Sequence, residues 1–274
     1  MAKTPPPVEA LWLPASEERV RRPTVPGPLL VDGSDDGVVQ GALRVAHLLA
    51  KRDGVTVRVR FGDSAPDSRV ETLATAARSD GAAYLLSGLP PVGTGQRQSS
   101  ARMASVLAVE AATPVLAVLP GVERLPRSVL AAVDGTGASL DAARAAIPLM
   151  GERGSFTLLH VGEPPTAMEA LRDFAEEIVA RSDVAVHLVV VQGEPHAVLA
   201  EWVAEFDLVT LGVSGHETLH PAPASSALAA AFQHARGALL VAHESGCLCL
   251  GAGYIADESR ASRLHSPNME APSP

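Results

Sequence analysis

The chain has 274 residues, is 47% hydrophobic but only 3% aromatic, and carries a formal net charge of −9 at pH 7. With a pI near 5.5, it lacks the basic face that a generic nucleic-acid or anionic-membrane partner needs for counterion exchange, which excludes both classes. A core built from Ala, Val and Leu favours helices laid on a buried parallel sheet, and the length leaves room for two domains of ordinary size.

The start, Met1-Ala2-Lys3-Thr4-Pro5-Pro6-Pro7, has a positive residue but no apolar stretch after it, so no secretory leader is expected. No apolar run reaches bilayer length, and a cytoplasmic protein is the expectation. Residues 1–25 mix prolines with Glu17, Glu18, Arg19, Arg21 and Arg22. They read as a disordered arm, with Leu11-Trp12-Leu13 as a docking patch or, more simply, Trp12 as a buried staple.

Periodic structure begins at Leu29-Leu30-Val31-Asp32-Gly33-Ser34, a short strand running into a turn. Val38, Leu43, Ala46 and Leu49 then mark a helix that Gly54 can cap. The β-branched run Val55 to Phe61 reads as a strand. Val70, Leu73, Ala76 and Ala77 recur at helical spacing, Ala82 to Leu86 returns as a strand ending at Ser87-Gly88, and a Pro/Gly/Ser loop follows. A helix through Met103, Val106 and Leu107 and a strand over Pro114 to Val118 close this first half. Strands alternate with helices throughout, which implies parallel βαβ units.

Pro120 to Pro126 reads as a linker, after which the same grammar restarts. Val129 to Val133 is a strand ending in Asp134-Gly135, aligned with Val31-Asp32-Gly33. Leu140, Ala143 and Ile147 form a helix stripe that Pro148 must break. Phe156 to Val161 and Val184 to Val191 are strands around a helix through Met168, Leu171, Ala175 and Ile178. Pro195 stands at a first helical position ahead of Val198, Leu199, Trp202 and Val203. Leu208 to Leu211 is a buried strand, Gly212 and Gly215 release the backbone into a loop, and Ser225 opens a helix through Leu228, Ala231, Phe232 and Ala235. Leu239 to Ala242 is the last strand, and residues 245–274 read as a disordered tail.

A strand, a glycine loop and a helix start suit a phosphate, because glycine lets backbone N–H groups approach and the helix N-terminus adds free donors. The same residues also serve a plain chain turn and an N-cap. The pattern Gly212-x2-Gly215, nine residues, Ser225-Ser226, with Val133-Asp134-Gly135 upstream and Gln233 to Val241 downstream, resembles the universal stress protein family. Nucleotide-binding members of that family carry Gly-x2-Gly-x9-Gly-Ser/Thr before their last helix. The resemblance covers roughly Arg127 to His243, with a decayed copy over Pro26 to Pro120.

It implies two Rossmann-like α/β domains (adenine nucleotide alpha hydrolase-like), residues 26–120 degenerate and 126–244 fuller. The implied strand order is 3-2-1-4-5 in the second, with the edge strand missing from the first. It also implies that Val115 to Val118 lies antiparallel to Leu239 to Ala242, an internal pseudo-dimer, with a further homodimer left open. The nucleotide site would comprise Val133, Asp134, Gly135, Gly212, Gly215, Ser225 and Ser226, holding ATP, ADP or AMP, with Mg²⁺ as an optional partner of the phosphates.

Two departures weigh on that site. Ser225 replaces the family's third glycine, and no Lys or Arg occurs from Asp207 to His234, while Glu217 sits in the loop. Weak binding or a less charged nucleotide is expected. In the first half, Pro91 replaces the second glycine and has no N–H to donate, and Ala101 and Arg102 replace the small pair. His160 and His187 fall in strands as packed or edge side chains, with no nucleophile tied to them. Cys247-Leu248-Cys249 gives no disulfide framework and, without a second ligand pair, no metal site. The expectation is a non-enzymatic, nucleotide-binding stress-response regulator acting through an unknown protein partner. The alternative is an interaction module in which the tandem fold is a scaffold without nucleotide.

Overall fold

The computed structural model describes residues 9–15, 23–34, 37–61, 65–91, 95–152, 154–162, 168–182, 184–213 and 226–244. Its first half holds β1 (Glu9–Leu13), β2 (Leu29–Asp32), α1 (Val39–Asp53), β3 (Val57–Arg60), α2 (Pro66–Asp80), β4 (Tyr84–Gly88), α3 (Gln96–Ala111) and β5 (Val115–Val118). The second half holds β6 (Ser128–Ala132), α4 (Gly137–Ala146), β7 (Ser155–Val161), α5 (Met168–Arg181), β8 (Ala185–Val191), α6 (Pro195–Trp202), β9 (Leu208–Val213), α7 (Ala227–His234) and β10 (Ala238–His243). The fold is α/β throughout. Local chemistry sets several boundaries: Gly54 and Gly81 end α1 and α2 in left-handed conformations, and Pro148 falls in a 3-10 turn that ends α4 at Ala146.

The ten strands among the described residues form one sheet in the order β1-β8-β7-β6-β9-β10-β5-β4-β2-β3. Neighbours are parallel except β1 with β8 and β10 with β5. Helices cover both faces, so strands such as β2 and β5 are buried along their whole length, as parallel strands in α/β proteins are. One core cluster gathers Val31, Leu49, Tyr84, Leu86, Val129, Phe156, Phe174 and Leu240 on one face. The other gathers Leu30, Leu73, Leu85, Leu107, Val209, Phe232 and Leu239. Each cluster draws on both halves, so the core is divided by the sheet and not at the linker.

The halves meet where β5 pairs with β10, from Val115 opposite Val241 to Val118 opposite Ala238. First-half side chains also take up carbonyls at second-half helix ends, groups a helix leaves unsatisfied. Arg97, 2% exposed, donates from one terminal nitrogen to the Phe232 and Ala235 carbonyls at 2.7 and 3.0 Å, and from Nε to Pro90 at 2.9 Å. A buried cation at the C-terminal end of α7 also meets the negative end of its dipole. The Tyr84 hydroxyl donates to Ala145 at 2.6 Å, and Arg52 to Met150 at 2.6 Å.

One expectation is corrected. Leu11-Trp12-Leu13, read as part of a disordered arm spanning residues 1–25, belongs to β1, which pairs antiparallel with β8 from Glu9 opposite Val190 to Leu13 opposite Val186. The reason is the bare edge of β8: an added strand satisfies its ladder and lays Leu11 and Leu13 against the core. Trp12 is no buried staple; it is 53% exposed and meets the ring of His187 edge-on at 3.7 Å. Residues 1–8 and 245–274 lie outside the described residues. Among the described residues no helix is long and apolar enough to cross a membrane.

Candidate functional site

The helix that follows β6, α4, packs with the first core cluster on one face of the sheet, while Leu228 and Phe232 of α7, the helix that follows β9, join the second on the other. Because β6 and β9 are neighbours and their following helices lie on opposite faces, a crevice is left at the carboxyl ends of the strands, the place where open α/β sheets bind ligands. A cleft of ≈ 220 Å³ lies there. Leu159, Val161, Leu199, Leu211 and Leu228 give it an apolar lining, and Asp134, Ser139 and Ser226 supply its polar edge.

Asp134 follows β6 and is held by the start of α4. Its Oδ1 accepts from the Thr136 amide at 2.9 Å and from the Thr136 hydroxyl at 2.6 Å. Thr136 in turn caps the helix, accepting from the Ser139 amide at 3.3 Å, and the Ser139 hydroxyl accepts from the Asp134 amide at 3.3 Å. Partial burial pushes the Asp134 carboxyl up, but the bonds from Thr136 and Ser139 outweigh it and hold the group below the usual carboxylate value. The result is an ionised acceptor, Oδ2 keeping its bonding capacity. Gly135 makes the turn, with φ at +87° and open space where a Cβ would stand, a conformation that favours glycine.

Gly212 has a structural task of its own. A Cβ there would lie 2.3 Å from the Ala138 carbonyl carbon and 2.4 Å from the Ser139 nitrogen. Glycine is required because the first turn of α4 presses its backbone onto the end of β9. That packing alone accounts for Gly212, and it still brings the residue to the cleft wall. Gly215 and Ser225 lie outside the described residues.

The helix start falls one residue later than expected. Ser226, not Ser225, is the N-cap of α7, its Oγ accepting from the Ala229 amide at 3.1 Å. The N-cap conformation is extended and suits serine without any left-handed strain. The amides of Ala227 and Leu228, among the first four of α7, have no intrahelical acceptor, and both residues line the cleft.

The backbone of Val133 was expected to face a base and ribose, and here the structure differs. Its amide donates to Leu159 at 2.9 Å and its carbonyl meets Nδ1 of His160 at 2.9 Å. Both groups therefore already have partners within the sheet, and the Val133 side chain packs in the first core cluster while the residue lines the cleft. His160, buried at 9% exposure, has a structural use. Ser139, Leu199 and Leu228 were not singled out from sequence as site residues, because only the juxtaposition of α4, α6 and α7 over β6 and β9 brings them together.

Among the described residues of the first half, the equivalent position is filled by side chains. Asp32, aligned with Asp134, is 1% exposed, accepts from the Ser34 amide at 3.0 Å, and is ion-paired with Arg69, whose Nε lies 3.0 Å from Oδ2. A Cβ on Gly33 would meet the Phe61 ring at 2.7 Å, and one on Gly88 the Val38 carbonyl oxygen at 2.4 Å. The carboxylate that stands open at Asp134 is consumed at Asp32.

No family model matches the chain, and a comparison with curated proteins finds no match. Solved structures do match. A universal stress protein from Archaeoglobus fulgidus is similar over 72% of this chain and 74% of its own, at 20% identity with a TM-score of 0.52. A functionally unknown protein from Pseudomonas aeruginosa covers 80% of this chain and 92% of its own, at 14% identity and a TM-score of 0.49. A universal stress protein in complex with cAMP covers 44% of this chain and all of its own, at 21% identity and a TM-score of 0.35. The first of these likenesses, at 20% identity, speaks to architecture: the chain folds as that universal stress protein does.

Proposed function

We propose that the cleft between β6 and β9 binds an adenine nucleoside or a nucleotide of low charge, and that the protein is a stress-response regulator whose bound form is read by a protein partner. The observation that carries this reading is an apolar crevice at the switch point with a fixed, ionised carboxylate on its rim. A flat base fits between Leu159, Leu199, Leu211 and Leu228, and a ribose diol can donate to Asp134, the use an acidic residue has in other dinucleotide folds. The α7 amides and the Ser226 hydroxyl offer dipoles to a phosphate.

Charge selects among nucleotides. Among the described residues no Lys or Arg lines the cleft, Asp134 is negative, and the Glu244 carboxylate lies against Gly137 at the head of α4. Adenosine and AMP therefore suit the site better than ATP, which needs a metal to offset its charge here. The test is thermal melting of the protein with adenosine, AMP, ADP and ATP, each with and without Mg²⁺. Ligand that binds only the native state raises the melting temperature. Adenosine or AMP is expected to do so, and Asp134→Ala to weaken the effect by about tenfold in affinity, the scale of one charged hydrogen bond. No shift with any of the four at millimolar concentration removes this reading and leaves the scaffold alternative.

A further inference from the structure

The two halves differ at one edge of the sheet. Between β7 and β9 the second half places α5, β8 and α6, whereas between β3 and β4 the first half has α2 alone. In the second half β8 lies parallel against β7, from Ala185 opposite Ser155 to Val191 opposite Val161. The matching place beside β3 holds no strand among the described residues, and β3 ends the sheet.

Both backbone and side chains face that place unpaired. The carbonyls of Thr56 and Arg60 accept from the Leu29 and Gly33 amides at 2.8 and 2.7 Å. Backbone groups alternate in direction along a strand, so the N–H and C=O of Val57 and Val59 point away from β2. Val59 is 41% and Phe61 73% exposed, on the face where Val57 packs against the first core cluster. Leu30 and Ala132 each stand two residues before the aligned aspartates, and opposite them lie Arg58 and Leu159. The counterpart of Val59 is therefore His160, which has Val190 of β8 beside it and is only 9% exposed. The other face of β3 is charged: Arg58 and Arg60 share one carboxylate, that of Asp80.

We propose that the β3 edge accepts a strand from a protein partner, an extended segment in which apolar residues alternate with acidic ones. Its backbone would continue the ladder from Val57 and Val59, its apolar side chains would cover Val59 and Phe61, and its carboxylates would meet Arg58 and Arg60. The second half shows what such a place holds, since β8 occupies it there. Charge disfavours a second copy of this chain as the occupant, because antiparallel pairing about Val59 would set arginine against arginine. The surface lies on β3 and does not depend on nucleotide in the cleft between β6 and β9.

The test titrates the full chain into fluorescein-labelled Thr-Val-Glu-Val-Glu-Val-Thr-amide, followed by anisotropy, with residue-resolved amide exchange by NMR. One control peptide has lysine for both glutamates, and another has proline for the central valine. The acidic peptide is expected to bind about tenfold more tightly than the lysine peptide, the combined scale of two exposed ion pairs made or reversed. The proline peptide should not bind, and exchange should slow at Val57 and Val59. Val59→Pro removes an outward donor at an edge position, where proline is tolerated, and should abolish binding. Arg60→Glu, which leaves the backbone of β3 intact, should remove the preference for the acidic peptide. The proposal is overturned if the acidic peptide does not bind, if the lysine or proline peptide binds as tightly, if Arg60→Glu keeps the acidic preference, or if exchange slows only outside β3. Two further results would overturn it by naming another occupant. A chain ending at Glu244 that binds the peptide when the full chain does not would assign the edge to residues 245–274. A dimer in sedimentation that Val59→Pro dissociates would assign it to a second copy.

Discussion

Substituting Gly212 separates packing from binding more sharply than any other change in the cleft. In Gly212→Ala the new Cβ stands 2.3 to 2.5 Å from three main-chain atoms of Ala138 and Ser139, whereas ordinary contact begins at 3.4 Å. The first turn of α4 must therefore retreat by about 1 Å, in an interior packed as densely as an organic crystal. It is not free to do so, since Thr136 and Ser139 tie its start and Tyr84 holds the carbonyl of Ala145 near its end. Overpacking of this kind costs about 1–3 kcal/mol. Because the clash is with backbone, no truncation of a neighbouring side chain can relieve it. Gly135→Ala is the comparison: it meets no atom, and its left-handed conformation alone costs about 1–2 kcal/mol. Urea unfolding of the wild type and both variants measures this, with the m-value as a check that the folded states are comparable. If Gly212→Ala unfolds at the wild-type midpoint, the close approach of α4 to β9 is not as described and the packing account of Gly212 fails. If it is destabilised, loss of nucleotide binding at this position says nothing about phosphate contact, and Asp134→Ala becomes the informative variant.

Two further outcomes follow from the buried polar groups. Arg69→Ala strands the Asp32 carboxylate at 1% exposure and should cost about 3 kcal/mol, whereas the double change Asp32→Asn with Arg69→Met should recover most of it; denaturant unfolding of the three proteins decides. Burial raises the Tyr84 hydroxyl well above its ordinary value, opposed in part by Arg52 and aided by Asp53. The unfolded phenol loses its proton near pH 10 and the folded one does not, so this contribution is complete below about pH 10 and falls by about 1.4 kcal/mol per pH unit above it. Tyr84→Phe should flatten that alkaline loss; an unchanged alkaline slope of the unfolding free energy would refute the assignment.

Much of the architecture was legible because parallel strands announce themselves. Leu208 to Leu211 and Leu239 to Ala242 are uncharged runs with no alternation, and both are strands buried on two faces. Leu171, Ala175 and Ile178 at helical spacing are buried in α5, and Pro148 marks the helix end it should. The turn at Asp134-Gly135 after a strand was legible too, since it belongs to a short local motif, whereas the N-cap of α7 lies one residue beyond the expected Ser225.

The rest was hidden for a common reason: it depends on partners far away in sequence. Glu9 to Leu13 is five residues among prolines, and only the open edge of β8 makes it a strand. Gly212 reads as a loop glycine until Ala138 arrives from seventy residues earlier. Val133 reads as a base-facing backbone until His160 takes its carbonyl, and Asp32 and Asp134 look alike until Arg69 pairs with one of them.

Composition and hydrophobic period by themselves determined the class of fold and the succession of strands and helices from Leu29 onward, because those follow from which side chains leave water and at what spacing. The tertiary structure alone decided which aspartate stays open, which glycine is a packing contact, and that Glu9 to Leu13 adds a strand to the edge of β8. Those properties are set by distances between groups that the chain separates, and no local pattern records them.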